Sequence, residues 1–305
     1  MLSPSVPPAA RDAILAWYKR HGRSLPFRAT NDPYAVLVSE AMAQQTQAGR
    51  AGDAWIRFME RFPTVQALAD ATAADVLRAW RGLGYNRRAL NLQRAARQVV
   101  VRHGGRVPAD LESLVALPGV GPYTARAVAA IAFGQPVGAV DTNVRRVLGR
   151  ILADVVAAVP DVDLQGIADR SVPVGQAADW THAVMDIGAT FCRPRRPDCR
   201  ACPARPWCAF ESGVQPAIGA PKAIRTPRSS PIAFASTSRW LRGRIVDRLR
   251  SAPDGTWTRI AGPIGAHDEQ AVSAALAVLA AEGLIEIDPH PAAAGLGRRA
   301  RLPTA

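Results

Sequence analysis

From residue 10 to residue 212 the apolar positions recur at helical intervals, and no convincing stretch alternates as a strand would. In "TAADVLRAWRGLG" a threonine cap opens the run, Val76, Leu77 and Trp80 share one face, and glycine stops it. "DAILAWYKRHG" ends the same way on Gly22. Asp32 and Pro33 open "PYAVLVSEAMAQQT", one as a cap and the other at the first helical position. "NRRALNLQRAARQVVVRHGG", "DLESLVALPG", "YTARAVAAIAFG", "DTNVRRVLGRILA" and "ADWTHAVMDIGATFC" follow this grammar. The pattern predicts an all-α body over residues 10–212. Residues 213–237 carry four prolines and no period, as a linker does. Residues 238–303 then read as a small second domain. "RWLRGRIVDRLRS" is an amphipathic helix, "TRIAGPIG" a short one, "DEQAVSAALAVLAAEGL" a longer one, and "LIEID" and "RRARLP" two short strands. Three helices and a hairpin are the order of a winged helix.

A chain of 305 residues has room for two domains and a sizeable core. Its net charge of +13 favours a polyanionic partner, nucleic acid or an anionic surface. No run of 18 apolar residues is present, so no membrane span is expected. The start, "MLSPSVPPAARDAILAWYKR", lacks the form of a secretory signal, and a cytoplasmic, nucleoid-associated protein is expected. Lys19 and Lys222 are the only lysines, which restricts any chemistry that needs an amine.

All four cysteines fall in "CRPRRPDCRACPARPWC" as Cys192, Cys199, Cys202 and Cys208. A cytoplasmic chain makes two disulfides a poor reading. Four nearby thiolates suit either tetrahedral zinc or a [4Fe–4S] cluster, and one Cys-x-x-Cys pair flanked by wider gaps fits the cluster slightly better.

"LPGVGPYTA" places Gly119, Val120 and Gly121 in a tight turn before a helix that opens on Pro122. Glycines let backbone approach a ligand, and a helix start offers free N–H groups to phosphate. An ordinary helix corner is the alternative. Two carboxyls stand in contrasting settings. Asp141 precedes a helix and reads as an N-cap, held ionised by backbone N–H groups. Glu40 follows Val36 and Leu37 by four and three residues and so faces the apolar side. It reads either as a structural glutamate paired with an arginine or as a desolvated acid with a raised pKa.

The cysteine spacing resembles that of the helix-hairpin-helix DNA glycosylases of the endonuclease III superfamily. That resemblance implies a [4Fe–4S] cluster on the four cysteines and a backbone clamp on DNA at Gly119–Gly121. In lyase members a lysine stands two residues after the last hairpin glycine, where this chain has Tyr123. The resemblance therefore implies a monofunctional glycosylase. "SEAMAQQT", "GLGY", "PGVGPYTA" and "VDTNVRRV", in order and followed by the cysteines, narrow it to the A/G-specific adenine DNA glycosylases over residues 10–212. The implied fold is a six-helix barrel with the hairpin (30–136) and an iron–sulfur helical module (10–29 and 137–212).

The implied reaction is hydrolysis of adenine from a pair with 8-oxoguanine or guanine. Glu40 would protonate the base, Asp141 would stabilise an oxocarbenium, and Tyr123 and Asn143 would position acid, sugar and water. Gln45, Thr46 and Tyr85 would contact DNA, with Gln45 and Tyr85 wedged into the base stack. Arg28 and His182 would line the base pocket. The implied partner is double-stranded DNA with a mismatched or oxidised pair, bound by a monomer. The sequence departs from the family at Phe27, Ala43 and His182, all in the expected pocket. Residues 238–303 are too short and too helical for the β-rich domain that reads 8-oxoguanine in longer members, and resemble the winged-helix-like ending of shorter ones. Two other readings remain: a glycosylase for thymine or uracil opposite guanine, whose members usually lack the glutamate, and a non-catalytic iron–sulfur DNA-binding regulator, which needs neither carboxylate.

Overall fold

The computed structural model describes residues 4–154, 163–214, 233–290 and 297–304. By its internal contacts the chain divides into two compact units. One holds Met1–Glu40, Val107–Ala116 and Val120–Arg225; the other holds Ala41–Arg106, Leu117–Gly119 and Thr226–Ala305. Most of the linker predicted at 213–237 lies outside the described residues.

In the first unit α1 (Pro8–His21) and the N-terminal part of α2 (Pro33–Ala43) precede α7 (Leu111–Val115), α8 (Pro122–Phe133), α9 (Thr142–Ile151), α10 (Leu164–Arg170) and α11 (Ala177–Thr190). Caps set the starts: Asp32 Oδ2 accepts from Ala35 N at 3.1 Å, and Asp110 Oδ1 from Ser113 N at 2.8 Å. Alpha α1, α8, α9 and α11 pack around Ile14, Val147, Leu148, Ile167, Trp180 and Ile187, all buried. Cys192, Cys202 and Cys208 lie half-buried at the margin of this core.

The second unit contains α3 (Ala48–Arg61), α4 (Val65–Asp70), α5 (Ala73–Ala79) and α6 (Arg87–His103). Thr64 and Thr72 cap α4 and α5, and α6 stops at Gly104 in the left-handed region. Trp80 is fully buried against Phe58, their rings edge to face at 6.0 Å. The same unit carries the C-terminal module: α12 (Ser238–Arg250), β1 (Thr258–Ile260), α13 (Glu269–Ala281), β2 (Glu286–Ile287) and β3 (Arg298–Arg301). The strands form an antiparallel sheet in the order β1-β3-β2.

Two expectations change here. "TRIAGPIG" is a strand and a turn, not a short helix: Thr258 and Ile260 pair with Ala300 and Arg298 of β3, and Gly262-Pro263 prevents a helix. Gln44 to Thr46 do not extend α2, which ends at Ala43. The module is fastened to α5. Arg250 donates to Leu77 O at 2.7 Å and to Asn86 Oδ1 at 2.8 Å, and Arg78 bonds Ala252 O at 3.2 Å and pairs with Asp254.

Candidate active site

Glu40 sits on α2 with 9% of its surface exposed. Burial pushes its carboxyl up to about 7, and nearby Asp141 adds to the rise. A hydrogen bond from the Tyr123 hydroxyl and the charge of Arg28 oppose it. The Tyr123 phenol is itself driven far up by burial and by Glu40 and Asp141. Tyr123 enters on the first turn of α8, where Pro122 and the hairpin glycines start the helix. The hydroxyl lies 3.9 Å from Met185 Sδ of α11.

Asp141 caps α9: its Oδ1 accepts from Val144 N at 2.6 Å and its Oδ2 from Asn143 Nδ2 at 3.2 Å. Asn143 Oδ1 accepts in turn from Arg146 Nη2 at 2.7 Å. Asp141 is thus a fixed acceptor with its donors supplied by one helix, while Glu40 is a desolvated acid. The predicted residues Glu40, Asp141, Tyr123, Asn143 and Arg28 belong to one cluster in the first unit.

His182 on α11 is buried, and burial with the charge of Arg28 pushes its imidazole down to about 3. It is neutral at physiological pH and offers one donor and one acceptor. Four residues on, Asp186 is fully buried and was not singled out by the sequence. It accepts from Arg28 Nη1 and Nη2 at 2.8 and 2.9 Å, and from Arg23 N and Nε at 3.0 and 2.6 Å. These arginines hold its carboxyl below the usual range, although burial acts the other way. A charged residue on the face that carries His182, Ala183 and Ile187 was the available signal. Arg28 Nε is buried without an acceptor among the described residues, as is Arg88 Nε.

The predicted DNA-contacting residues Gln45, Thr46 and Tyr85 fall in the second unit. Gln45 (φ 54°) and Tyr85 (φ 44°) are the two non-glycine residues with positive φ among those described. Such backbone is strained and persists where its surroundings fix it. Here Arg88 fixes both loops. Its Nη1 donates to Ala41 O, Met42 O and Gln44 O; its Nη2 donates to Thr46 Oγ1, Leu83 O and Gly84 O. Its guanidinium lies over the rings of Trp80 and Tyr85, at 5.4 and 5.7 Å. The sequence reading missed Arg88. Its signal was position: Arg88 stands on the stripe of α6 that carries Leu92, Ala95, Ala96 and Val99, all buried.

At the hairpin Gly119 has φ 80°, and a Cβ there would meet Asn91 Cβ at 2.8 Å, so only glycine fits. The Val120 side chain is buried at 7% exposure, which leaves its backbone for any contact with DNA. Gly121 is the N-cap position of α8.

The four cysteines are free thiols lining one cavity with Arg150, Ile187 and Phe191. Among the described residues no group of three or more His, Cys, Asp or Glu is placed to hold a single metal ion. Burial pushes the thiols of Cys199 and Cys202 up, to about 11 and about 12, so a thiolate here calls for a strong positive charge. Two arginines one turn apart on α9 secure the loop: Arg146 donates to Cys192 O at 2.5 Å, Arg150 to Arg193 O at 2.9 Å and to Cys192 Sγ at 3.4 Å. An all-sulfur donor set around a shared cavity fits an iron–sulfur cluster.

Comparison with known proteins identifies the family. Residues 38–154 match the HhH-GPD superfamily base excision DNA repair protein. The adenine DNA glycosylase of Mycobacterium tuberculosis is 43% identical over 244 residues, covering 78% of each chain. That of Mycolicibacterium smegmatis is 37% identical over 294 residues, covering 94% of this chain and 97% of the relative, so the likeness extends through the C-terminal module. A solved thermostable thymine-DNA glycosylase superposes with a TM-score of 0.62 at 30% identity, over 67% of this chain and 95% of that one. The chain belongs to the adenine DNA glycosylases of the helix-hairpin-helix base-excision repair superfamily.

Proposed function

We propose that the protein removes adenine paired with 8-oxoguanine or guanine and stops at the abasic site. One observation carries the reading: a buried carboxyl raised to about 7, Glu40, beside a second, Asp141, whose two oxygens accept hydrogen bonds. A base leaves more easily when protonated, and the sugar it leaves becomes cationic. Glu40 is the acid: its proton passes to the adenine ring at N7. The glycosidic C–N bond then breaks with its electron pair going to the base. The Asp141 carboxylate faces the developing cation, and water completes the hydrolysis. Tyr123 orients Glu40, and Asn143 orients Asp141. Tyr123 has no amine for a Schiff base, so no strand cleavage is expected.

Arg28 and neutral His182 meet the base edge, Arg28 with a donor that has no acceptor among the described residues. Gln45 and Tyr85 wedge the stack, and Gly119 to Gly121 with Thr46 hold the backbone. Cys192, Cys199, Cys202 and Cys208 would hold a [4Fe–4S] cluster, which supplies a rigid cross-link for this part of the chain. The partner is duplex DNA, bound by a monomer in the cytoplasm.

The test is base release from four duplexes: adenine opposite 8-oxoguanine, adenine opposite guanine, and thymine or uracil opposite guanine. Adenine should be released from the first two, with strand breaks appearing only after alkali. Release of thymine or uracil without adenine would overturn the assignment.

A further inference from the structure

The C-terminal module has no role in the chemistry above, yet it grips the wedge. Arg239 and Arg250 lie three turns apart on one face of α12. Arg250 bonds Asn86 Oδ1, and the Arg239 guanidinium covers the ring of the preceding residue, Tyr85, at 4.1 Å. Arg239 also reaches over Phe234, at 5.9 Å. Tyr85 and Phe234, 42% and 60% exposed, are the two exposed side chains of Phe, Tyr or Trp among the described residues. One guanidinium therefore joins both into a solvent-facing stack.

The chemistry of this stack points to a nucleic-acid base. Five other arginines of the module are paired with carboxylates, Arg242 with Glu282, Arg244 and Arg250 with Asp247, Arg299 with Asp288, Arg301 with Glu286, whereas Arg248, Arg259 and Arg298 have neither a carboxylate nor an aromatic ring against them among the described residues. Among the described residues no carboxylate pairs with Arg239, which is held by π faces alone. Residues 225–305 carry 11 arginines against 7 acids, so the surroundings suit a polyanion. A phosphate contact needs only the edge of a guanidinium, whereas aromatic and guanidinium planes together suit the face of a base.

We propose that Tyr85, Arg239 and Phe234 form a stacking platform for the base left unpaired opposite the extruded adenine. The C-terminal module thereby takes part in reading the mispair. The inference rests on the assignment of Tyr85 as a wedge.

The test measures affinity for duplexes with 2′-fluoro-2′-deoxyadenosine, whose fluorine blocks loss of the base. Adenine is placed opposite 8-oxoguanine or, as a control, opposite thymine. Arg239→Ala and Phe234→Ala should each weaken the mispair complex by about tenfold and the paired control by less than about twofold, because a paired base is not offered to the platform. With 2-aminopurine as the opposite base, the wild-type complex should quench its fluorescence and Arg239→Ala should relieve the quenching. Both side chains are exposed, so thermal unfolding should not change. Equal losses on both duplexes would mark a phosphate contact and overturn the platform, as would unchanged affinity. A wild-type chain that releases no adenine from any mispair would instead refute the underlying assignment.

Discussion

The carboxylate site of the first unit is assembled from side chains on regular helices, whereas the Gln45 and Tyr85 loops of the second are assembled from backbone held outside regular structure. At the first, the helix core does two jobs at once: it desolvates Glu40 and supplies donors to Asp141 through the start of α9. Chemistry follows from burial. At the second, Gln45 and Tyr85 sit in a backbone region that side chains disfavour, and one arginine bonds carbonyls on both sides to keep them there. Geometry follows from strain and its restraint. A side-chain site should fail by losing chemistry while keeping its shape. A backbone site should fail by losing shape first.

The largest effects should come from the carboxyls. Glu40→Gln and Asp141→Asn should each lower single-turnover adenine release by about 10²- to 10⁴-fold, with duplex affinity close to wild type. Measurable loss of binding in step with loss of rate would erase the contrast with the Gln45 and Tyr85 loops. Arg88→Met comes next. It leaves carbonyls of both loops without their donor, at a cost of about 1–3 kcal/mol in denaturant unfolding. Base extrusion, followed by 2-aminopurine fluorescence, should weaken while the Glu40 pH profile is kept.

Gln45→Gly is a finer probe. Glycine accepts φ 54° freely, so stability should stay within about 1 kcal/mol of wild type while extrusion weakens from loss of the side chain. The smallest effect is a shift in pH. In the proposed mechanism Glu40 is needed protonated, so release should fall as pH rises through about 7. Tyr123 donates to the carboxylate and lowers that value; Tyr123→Phe should therefore move the alkaline limb to higher pH. A limb that stays in place would remove Tyr123 from the acid's environment.

The two regions also differed in how far the sequence disclosed them. Glu40 and Asp141 were legible because helical periodicity and capping are local signals, and both residues occupy the expected positions on α2 and before α9. The strain at Gln45 and Tyr85 was not, because it depends on Arg88, 42 residues beyond Thr46 and bonded to it. Asp186 was missed for the same reason: its partners Arg23 and Arg28 are far off in the chain. In both cases a charged residue on an apolar helix face was the only local trace. The C-terminal sheet was half legible. "LIEID" and "RRARLP" showed as strands, but β1 takes its conformation from pairing with β3, across a gap in sequence that propensity does not span.

One helix ties the two ends of the first unit's chemistry together. Arg146 on α9 holds Cys192 O with Nε and Asn143 with Nη2, and Asn143 holds Asp141. A continuous line of hydrogen bonds thus runs from the sulfur loop to the Asp141 carboxylate. The sulfur loop and the Asp141 carboxylate therefore share one support: a change that loosens the backbone at Cys192 removes an acceptor from Arg146, the same side chain that holds Asn143 against Asp141.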